Sequence, residues 1–321
     1  MDGSSTKQMF ATGKKTTTQD VIDRMASACG LSAKATSACA LWIHEQALEL
    51  LLKPHYEPYR VRKQWQEIMY TFTRRPKDVP CAPRFEFRKN CFLTKEAEMA
   101  MEDPAFNILL YTEARYNVIS CLYPCTETDA VQLAGIDAQL AFGDCDTSIA
   151  PEDMFHNGLI KQIIPRFLIA RKSTEEWAKL LRKTHAHHAG RRSEELQALY
   201  INYCRQWGHY GSTWFYGRAC NEAKEVIEQD APTELIRIGV NYEGIHLINH
   251  VTNSVMITSH LDQIAWYASE LDKLLYIEHG NPDKPRKISI ITPQARIIET
   301  MILRFLALAR PGDTRPNSPV Q

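Results

Sequence analysis

Residues 101–146 read MEDPAFNILLYTEARYNVISCLYPCTETDAVQLAGIDAQLAFGDCD and hold two helical patterns separated by Tyr123-Pro124-Cys125. Asp103 is a good N-cap, and Pro104 follows at the position where a missing N–H costs least. Phe106, Leu110, Ala114 and Val118 recur every fourth residue, widened by Leu109 and Tyr111, so the first helix carries one apolar stripe. Thr126 and Asp129 form a weak capping box for the second. That helix is apolar on nearly every side, through Val131, Leu133, Ala134, Ile136, Ala138, Leu140 and Phe142, and such a helix belongs inside a bundle. Ala134, Gly135 and Ala138 are small enough to let neighbouring helices approach closely, and Gly143 ends the pattern. The pair predicts the core of a helical lobe.

Outward from this pair the chain changes character twice. Before it, Asp2-Gly3 reads as a hairpin turn, followed by a strand over Lys7 to Ala11. A helix over Gln19 to Cys29 comes next, capped by Thr16-Thr17-Thr18 and ended by Gly30, with Val21, Ile22 and Met25 inward. Strands over Ala40 to His44 and Ala47 to Leu52 follow, then a helical turn at Trp65 to Met69. Pro54 and Pro58 predict an extended path through Leu52 to Tyr59. Phe85 to Phe92 alternates apolar and polar and leads into the helical pair. Strands, helix, strands is the order of a ubiquitin-like fold. Its first strand lies upstream of residue 1 if Asp2-Gly3 is the first turn, as in a truncated chain; alternatively Ser4 to Phe10 takes that place.

After the pair, Leu159 to Ile169 (interrupted by Pro165), Glu175 to Lys183 and Glu194 to Trp207 predict further helices. From Tyr210 the period becomes that of strands, seven of them: Ser212 to Ala219, Leu235 to Val240, Ile245 to Asn249, Val255 to Ser259, Ile264 to Ala268, Leu274 to Glu278 and Lys287 to Thr292. A last helix, Pro293 to Ala309, has Ile297, Ile298, Met301, Ile302, Phe305 and Leu308 inward. Seven strands closed by one helix is the order of a pleckstrin-homology or phosphotyrosine-binding fold. The predicted class is α+β multidomain, with lobes at 1–83, 84–207 and 208–310 and a Pro-rich disordered tail at 311–321.

Bulk properties exclude several functions. The 321 residues suit two or three cored domains. Lys plus Arg number 38, as do Asp plus Glu, so no global field points to nucleic acid. Nine cysteines occur singly, which fits reduced thiols in a cytosolic protein with no signal peptide. No apolar run approaches the roughly 20 residues of a membrane span.

Several residues together resemble the FERM module of membrane-proximal adaptors. They are Glu102-Asp103-Pro104, Glu113-Ala114-Arg115-Tyr116-Asn117, the Tyr-Pro break, Asp129 to Ala134, and Phe142-Gly143-Asp144. The third lobe adds Tyr210-Gly211…Phe215, Gly239-Val240…Gly244-Ile245-His246 and Ile264…Trp266. The run Leu52 to Tyr59, Gln64-Trp65 and Phe85-Glu86-Phe87-Arg88-Lys89-Asn90 resemble one FERM subgroup. The resemblance implies three lobes: ubiquitin-like, helical and similar to acyl-CoA-binding protein, and PH/PTB-like. It implies a cytoplasmic adaptor, peripheral at the plasma membrane, that docks on tails of transmembrane proteins. The implied partners are iRhom pseudoproteases with their sheddase, or a Wnt co-receptor. Rivals are a Rap-type GTPase effector and a phosphoinositide-binding cytoskeletal linker.

No cofactor, catalytic set or metal motif is evident, and no enzyme is expected. His185, His187 and His188 lack Cys or carboxylate at ligand spacing and read as a solvated loop; Cys121 and Cys125 read as buried or half-buried thiols. In a phosphotyrosine-binding fold, an edge strand beside the closing helix accepts an extended peptide as an added strand. Here that strand is Gln263 to Tyr267. Alternation turns Ile264 and Trp266 inward and leaves Ala265 and Tyr267 as peptide-binding candidates, with Arg296 and Thr300 on the helix. A seam between first and third lobes is a second option. Arg60, Arg62, Lys63, Arg74 and Arg75 are candidates to face anionic lipid, the alternative being a solvated charged surface.

Overall fold

The structure, a computed structural model, describes residues 7–220, 234–269, 273–280 and 284–309. The Asp2-Gly3 turn and the 311–321 tail lie outside the described residues.

Thr17 and Asp20 cap each other's backbone N–H groups and open α1, Thr18–Cys29, which Gly30 closes in the left-handed conformation. Next come α2 (Ala33–Ser37), the hairpin β1 (Cys39–Glu45) and β2 (Leu48–Leu51), then α3 (Pro58–Lys63), α4 (Trp65–Thr73), β3 (Arg84–Lys89) and α5 (Lys95–Met99). The sheet runs β2-β1-β3, all antiparallel. Ile22, Leu41, Ile43, Leu48, Trp65 and Met69 form its core.

Three expectations change here. Lys7 to Ala11 forms no strand: among the described residues Lys7 to Phe10 pairs with no other strand and leads into a 3₁₀ turn at Gly13–Lys15, with Gln8 and Phe10 only half-buried and Met9 94% exposed. Pro58 opens α3 instead of extending the chain, because the first helical position needs no N–H donor. Phe85 to Lys89 belongs to the first lobe: Phe87 pairs with Leu41 and Phe85 with Ile43. The helical lobe therefore begins at 101, not 84. Residues 101–210 form one compact unit, and residues 8–100 with those from 211 on form another.

Unit 101–210 contains α6 (Pro104–Ile119), α7 (Glu127–Phe142), α8 (Pro151–Met154), α9 (Asn157–Ile163), α10 (Thr174–Ala186) and α11 (Ser193–Cys204). Asp103 accepts from the Phe106 N–H at 3.0 Å, and the Phe106, Leu110, Ala114, Val118 stripe is buried. On α7, Ala130 to Gln139 is buried apart from half-buried Gln132, as expected of an all-round apolar helix; Phe142 emerges at its end, 51% exposed. Asp137, buried on α7, accepts from Tyr111 Oη at 2.6 Å and Arg115 Nε at 2.7 Å and so ties α6 to α7. At Gly135 an added Cβ would stand 2.6 Å from Thr184 Oγ1 and 2.9 Å from the Thr184 carbonyl carbon. α7 and α10 thus meet almost backbone to backbone.

The second unit resumes with β4 (Thr213–Cys220), β5 (Glu234–Val240), β6 (Gly244–Asn249), β7 (Val255–His260), β8 (Ala265–Ser269), β9 (Leu274–His279) and β10 (Arg286–Ile291), closed by α12 (Ala295–Ala309). The sheet order is β7-β6-β5-β4-β10-β9-β8. α12 buries Ala295, Ile298, Ile302 and Phe305 against it. Leu308, expected inward, is 46% exposed because the helix outruns the sheet core. Ile297 packs against both the first-lobe core and the sheet core, and Met301 packs on Ala40, Trp42 and Cys91. The Arg304 guanidinium lies 3.8 Å over the Phe92 ring, which is 5.0 Å from Phe305.

Candidate functional site

β8 is the outermost strand of the seven-stranded sheet. Among the described residues it pairs with β9 alone, Ala265 opposite Glu278 and Tyr267 opposite Tyr276. Alternation holds: Ile264 and Trp266 are buried in the core, Ala265 is half-buried and Tyr267 is 58% exposed. The Tyr267 ring stacks on Tyr276, with centroids 6.1 Å apart. α12 packs beside the strand. The sheet takes one side of α12 and the first lobe another, through Ile297 and Met301. Arg296, Thr300 and Leu303 lie on the remaining side, all exposed. Arg296 is in an ion pair with Glu299, and Thr300 Oγ1 donates to the Arg296 carbonyl at 2.8 Å. The candidate pair on the strand is thus placed as predicted, while Arg296 is engaged within its own helix. Leu303, two turns beyond Arg296 and 39% exposed, escaped the sequence reading; its spacing of seven from Arg296 is the signal that finds it.

The seam between first and third lobes is filled. Glu49 Oε1 accepts from the Trp214 N–H at 2.9 Å, and Oε2 holds Arg88 at 2.8 Å. Arg88 lies 4.3 Å over the Trp42 ring. The Gln294 side chain donates to the Ala47 carbonyl and accepts from the Tyr216 N–H. Burial beside this seam pushes the Cys91 thiol up to about 12, so it packs as an uncharged apolar group.

The basic candidates separate. Arg62 and Lys63 are exposed on α3, Arg60 pairs with Glu57 at 2.7 Å, and Arg74 is exposed where it caps α4. Arg75 is not lipid-facing: its side chain is 15% exposed and is held by Glu45 and the Pro80 carbonyl. Glu45 also accepts from Trp65 Nε1 and the Ala82 N–H. Burial raises its pKa, but these donors outweigh burial and keep it below the ordinary value.

Two of the three histidines are not solvated, whereas His187 is exposed where it caps α10. His185 lies within α10 and His188 just past its end; both are buried. His185 Nε2 bonds the Gly143 carbonyl at 2.7 Å, while neither ring nitrogen of His188 has a partner among the described residues. No group of three His, Cys, Asp or Glu poised for a metal occurs among the described residues. A cleft of about 400 Å³ between α7 and α10 is lined by Glu127, Val131, Gln132, Leu180, Lys183 and His187, and its surface is mainly apolar. Cys121 and Cys125 are half-buried, as expected.

Burial, and then Arg191, lower the His188 pKa to about 4. Below the free value of 6.5 the unfolded chain takes up a proton that the folded chain refuses, so stability falls as pH drops from 6.5 towards 4. His188→Leu is expected to flatten that slope in thermal melts while leaving the melting temperature above pH 6.5 little changed.

Comparison with known proteins agrees with this architecture. The family description "FERM central domain" matches residues 96–215, and "KRIT1/FRMD8, FERM domain C-lobe" matches residues 235–301. FERM domain-containing protein B of Dictyostelium discoideum is 29% identical over 221 residues, 68% of this chain and 45% of that protein. FERM domain-containing protein 8 of Xenopus laevis is 25% identical over 323 residues, 92% of this chain and 71% of that one. Among solved structures, the C-terminal MyTH4-FERM domain of human myosin 7b, in complex with the harmonin-a PDZ3 domain, superposes with a TM-score of 0.65 at 17% identity, covering 92% of this chain and 56% of its own. The chain thus spans about half the length of the first of these relatives and of the myosin chain. The two matched stretches together exceed half of the chain and cover the helical lobe and the seven-stranded lobe in the expected order. The chain belongs to the FERM domain family, and its third lobe is of the KRIT1/FRMD8 type.

Proposed function

We propose that this chain is a non-catalytic FERM adaptor that captures an extended segment of a transmembrane protein's cytoplasmic tail along β8. One observation carries the reading: β8 ends the sheet, with Tyr267 exposed on it and α12 beside it. An edge strand offers a row of backbone donors and acceptors to an incoming strand, and a flanking helix supplies side-chain contacts. The myosin relative was solved with a protein partner, which supports protein docking as the class of function. The subgroup resembled in sequence, with FERM domain-containing protein 8 and the Krev-interaction-trapped scaffold, makes iRhom and Wnt co-receptor tails the first peptides to offer. GTP-loaded Rap is the comparison arm.

Successive N–H groups of a strand point to opposite edges, so Ala265 and Ala268 face different sides. Of Ala265→Pro and Ala268→Pro, one removes a bond to β9 and lowers the melting temperature. The other removes the outward donor, and is expected to leave the melt unchanged and weaken tail binding about tenfold. Isothermal titration with tail peptides checks this. A wild-type chain that binds neither tail, or a stable proline variant with full affinity, overturns the reading.

A further inference from the structure

The cleft between α7 and α10 is closed at one end. Thr128, Val131 and Gln132 line it from α7, and Leu180, Lys183, Thr184 and His187 from α10. On each helix these residues stand three and four apart, so each set shares one face. Thr184 is buried: its hydroxyl donates to the Val131 carbonyl at 3.2 Å, and it meets Gly135 where the two helices touch. The cleft ends at that contact. From there it runs back along the first turns of α7 towards Glu127.

Three kinds of surface meet in it. Val131 and Leu180 supply apolar walls from the two helices, and Leu180 is 38% exposed. Lys183 and His187, four apart on α10, are exposed at the rim. Among the described residues neither is paired with a carboxylate. Glu127, the acid in the lining, is held by Lys172 at 3.0 Å, so the cation of Lys183 is not offset from within the cleft. The Gln132 amide is half-buried and makes no hydrogen bond among the described residues.

The geometry points to a docking site for the free C-terminus of another polypeptide, one that ends in an apolar residue. Its carboxylate accepts from Lys183 and from the His187 ring, which has an N–H to give in either charge state. Its last side chain lies between Val131 and Leu180. The Gln132 amide carries one donor group and one acceptor, which match the C=O and N–H of a peptide group. Two other occupants fit less well. A hydrocarbon chain would cover the walls but leave Gln132 and Thr128 facing it without partners, which is unfavourable. An internal segment needs two open ends, and the Gly135–Thr184 contact blocks one. At about 400 Å³ the cleft has the size of a small-ligand site, enough for a chain end and too small for a whole helix. The inference uses none of the β8 residues and stands apart from the adaptor reading.

The test is isothermal titration of the full chain with acetylated hexapeptides of glycine and serine that end in leucine, as the free acid or the amide. Wild-type chain is expected to bind the free acid one to one, with Kd below about 1 mM, and the amide at least about tenfold more weakly. K183Q/H187Q should lose that preference. L180D should weaken the free acid about tenfold. Q132L keeps the apolar area and removes the amide, so it should weaken the peptide and not dodecanoate, which serves as the hydrocarbon probe. Thermal melts show whether each variant is folded. Amidated internal tail segments titrated at β8 should bind every variant as wild type, so a failure here is separable from a failure of the adaptor reading. No binding of the free acid by about 1 mM, equal binding of acid and amide, or a folded K183Q/H187Q that keeps the preference overturns the inference. So does dodecanoate that binds more tightly than the peptide and is weakened by L180D.

Discussion

Glu98→Ala is expected to destabilise the unit that contains it by about 3–5 kcal/mol, the cost of removing one partner from a buried ion pair. Lys89 Nζ and Glu98 Oε2 form that pair, with side chains 7% and 0% exposed. Lys89 is the last residue of β3, and Glu98 sits on α5, so the contact pins α5 to the first-lobe sheet. Gly211 abuts the same ammonium: an added Cβ there would stand 3.0 Å from Nζ. Truncating Glu98 leaves the Lys89 charge buried without that carboxylate. Chemical denaturation followed by tryptophan fluorescence measures the loss. Lys89→Met with Glu98→Leu should recover most of it, since apolar groups of similar size replace a buried pair at little net cost. A single variant as stable as wild type would show that the pair carries little.

Gly135→Leu is expected to cost about 3 kcal/mol in the helical unit, at the upper end of overpacking penalties. The glycine has ordinary helical geometry, and alanine there would gain about 1 kcal/mol from propensity alone. Space decides the sign instead. Thr184 Cβ would lie 2.7 Å from the new Cβ and its backbone carbon 2.9 Å away. Thr184→Gly should therefore rescue Gly135→Ala only in part, because the α10 backbone remains in the way. The loss of the Thr184 hydroxyl's bond to the Val131 carbonyl, at 3.2 Å, must be subtracted by measuring T184G alone. Full rescue would mean that side chain, not backbone, sets the separation of α7 and α10.

Both helices of the 101–146 stretch were legible because caps and stripes are local signals. Asp103-Pro104 and Thr126 with Asp129 cap as their residue types demand. The seven strands were legible from alternation between turn residues, and with them the inward Trp266 and outward Tyr267. What failed depends on partners distant in the chain. Phe85 to Lys89 reads as a strand, but only its register with β1 assigns it to the first lobe. Arg75 reads as a surface cation, yet Glu45, far upstream, draws it inward. His185 and His188 look polar enough for a loop, whereas α10 carries one into the interior and ends just before the other. Pro58 is a lesson in position, since proline breaks a helix interior but starts a helix well. The candidate site was half visible: strand alternation identified Ala265 and Tyr267, whereas the Arg296–Glu299 pair, three apart on one helix, is a local signal that a reading centred on the strand passes over.

α12 has two greasy flanks, one laid on the seven-stranded sheet and one, through Ile297 and Met301, on the first lobe. Anyone dissecting this protein by subcloning inherits that arrangement. A gene fragment starting at Thr213 would yield a polypeptide whose terminal coil presents Ile297 and Met301 to water, and inclusion bodies would say nothing about ligand recognition. The smallest honest reagent for studying β8 carries residues 8–100 along with it.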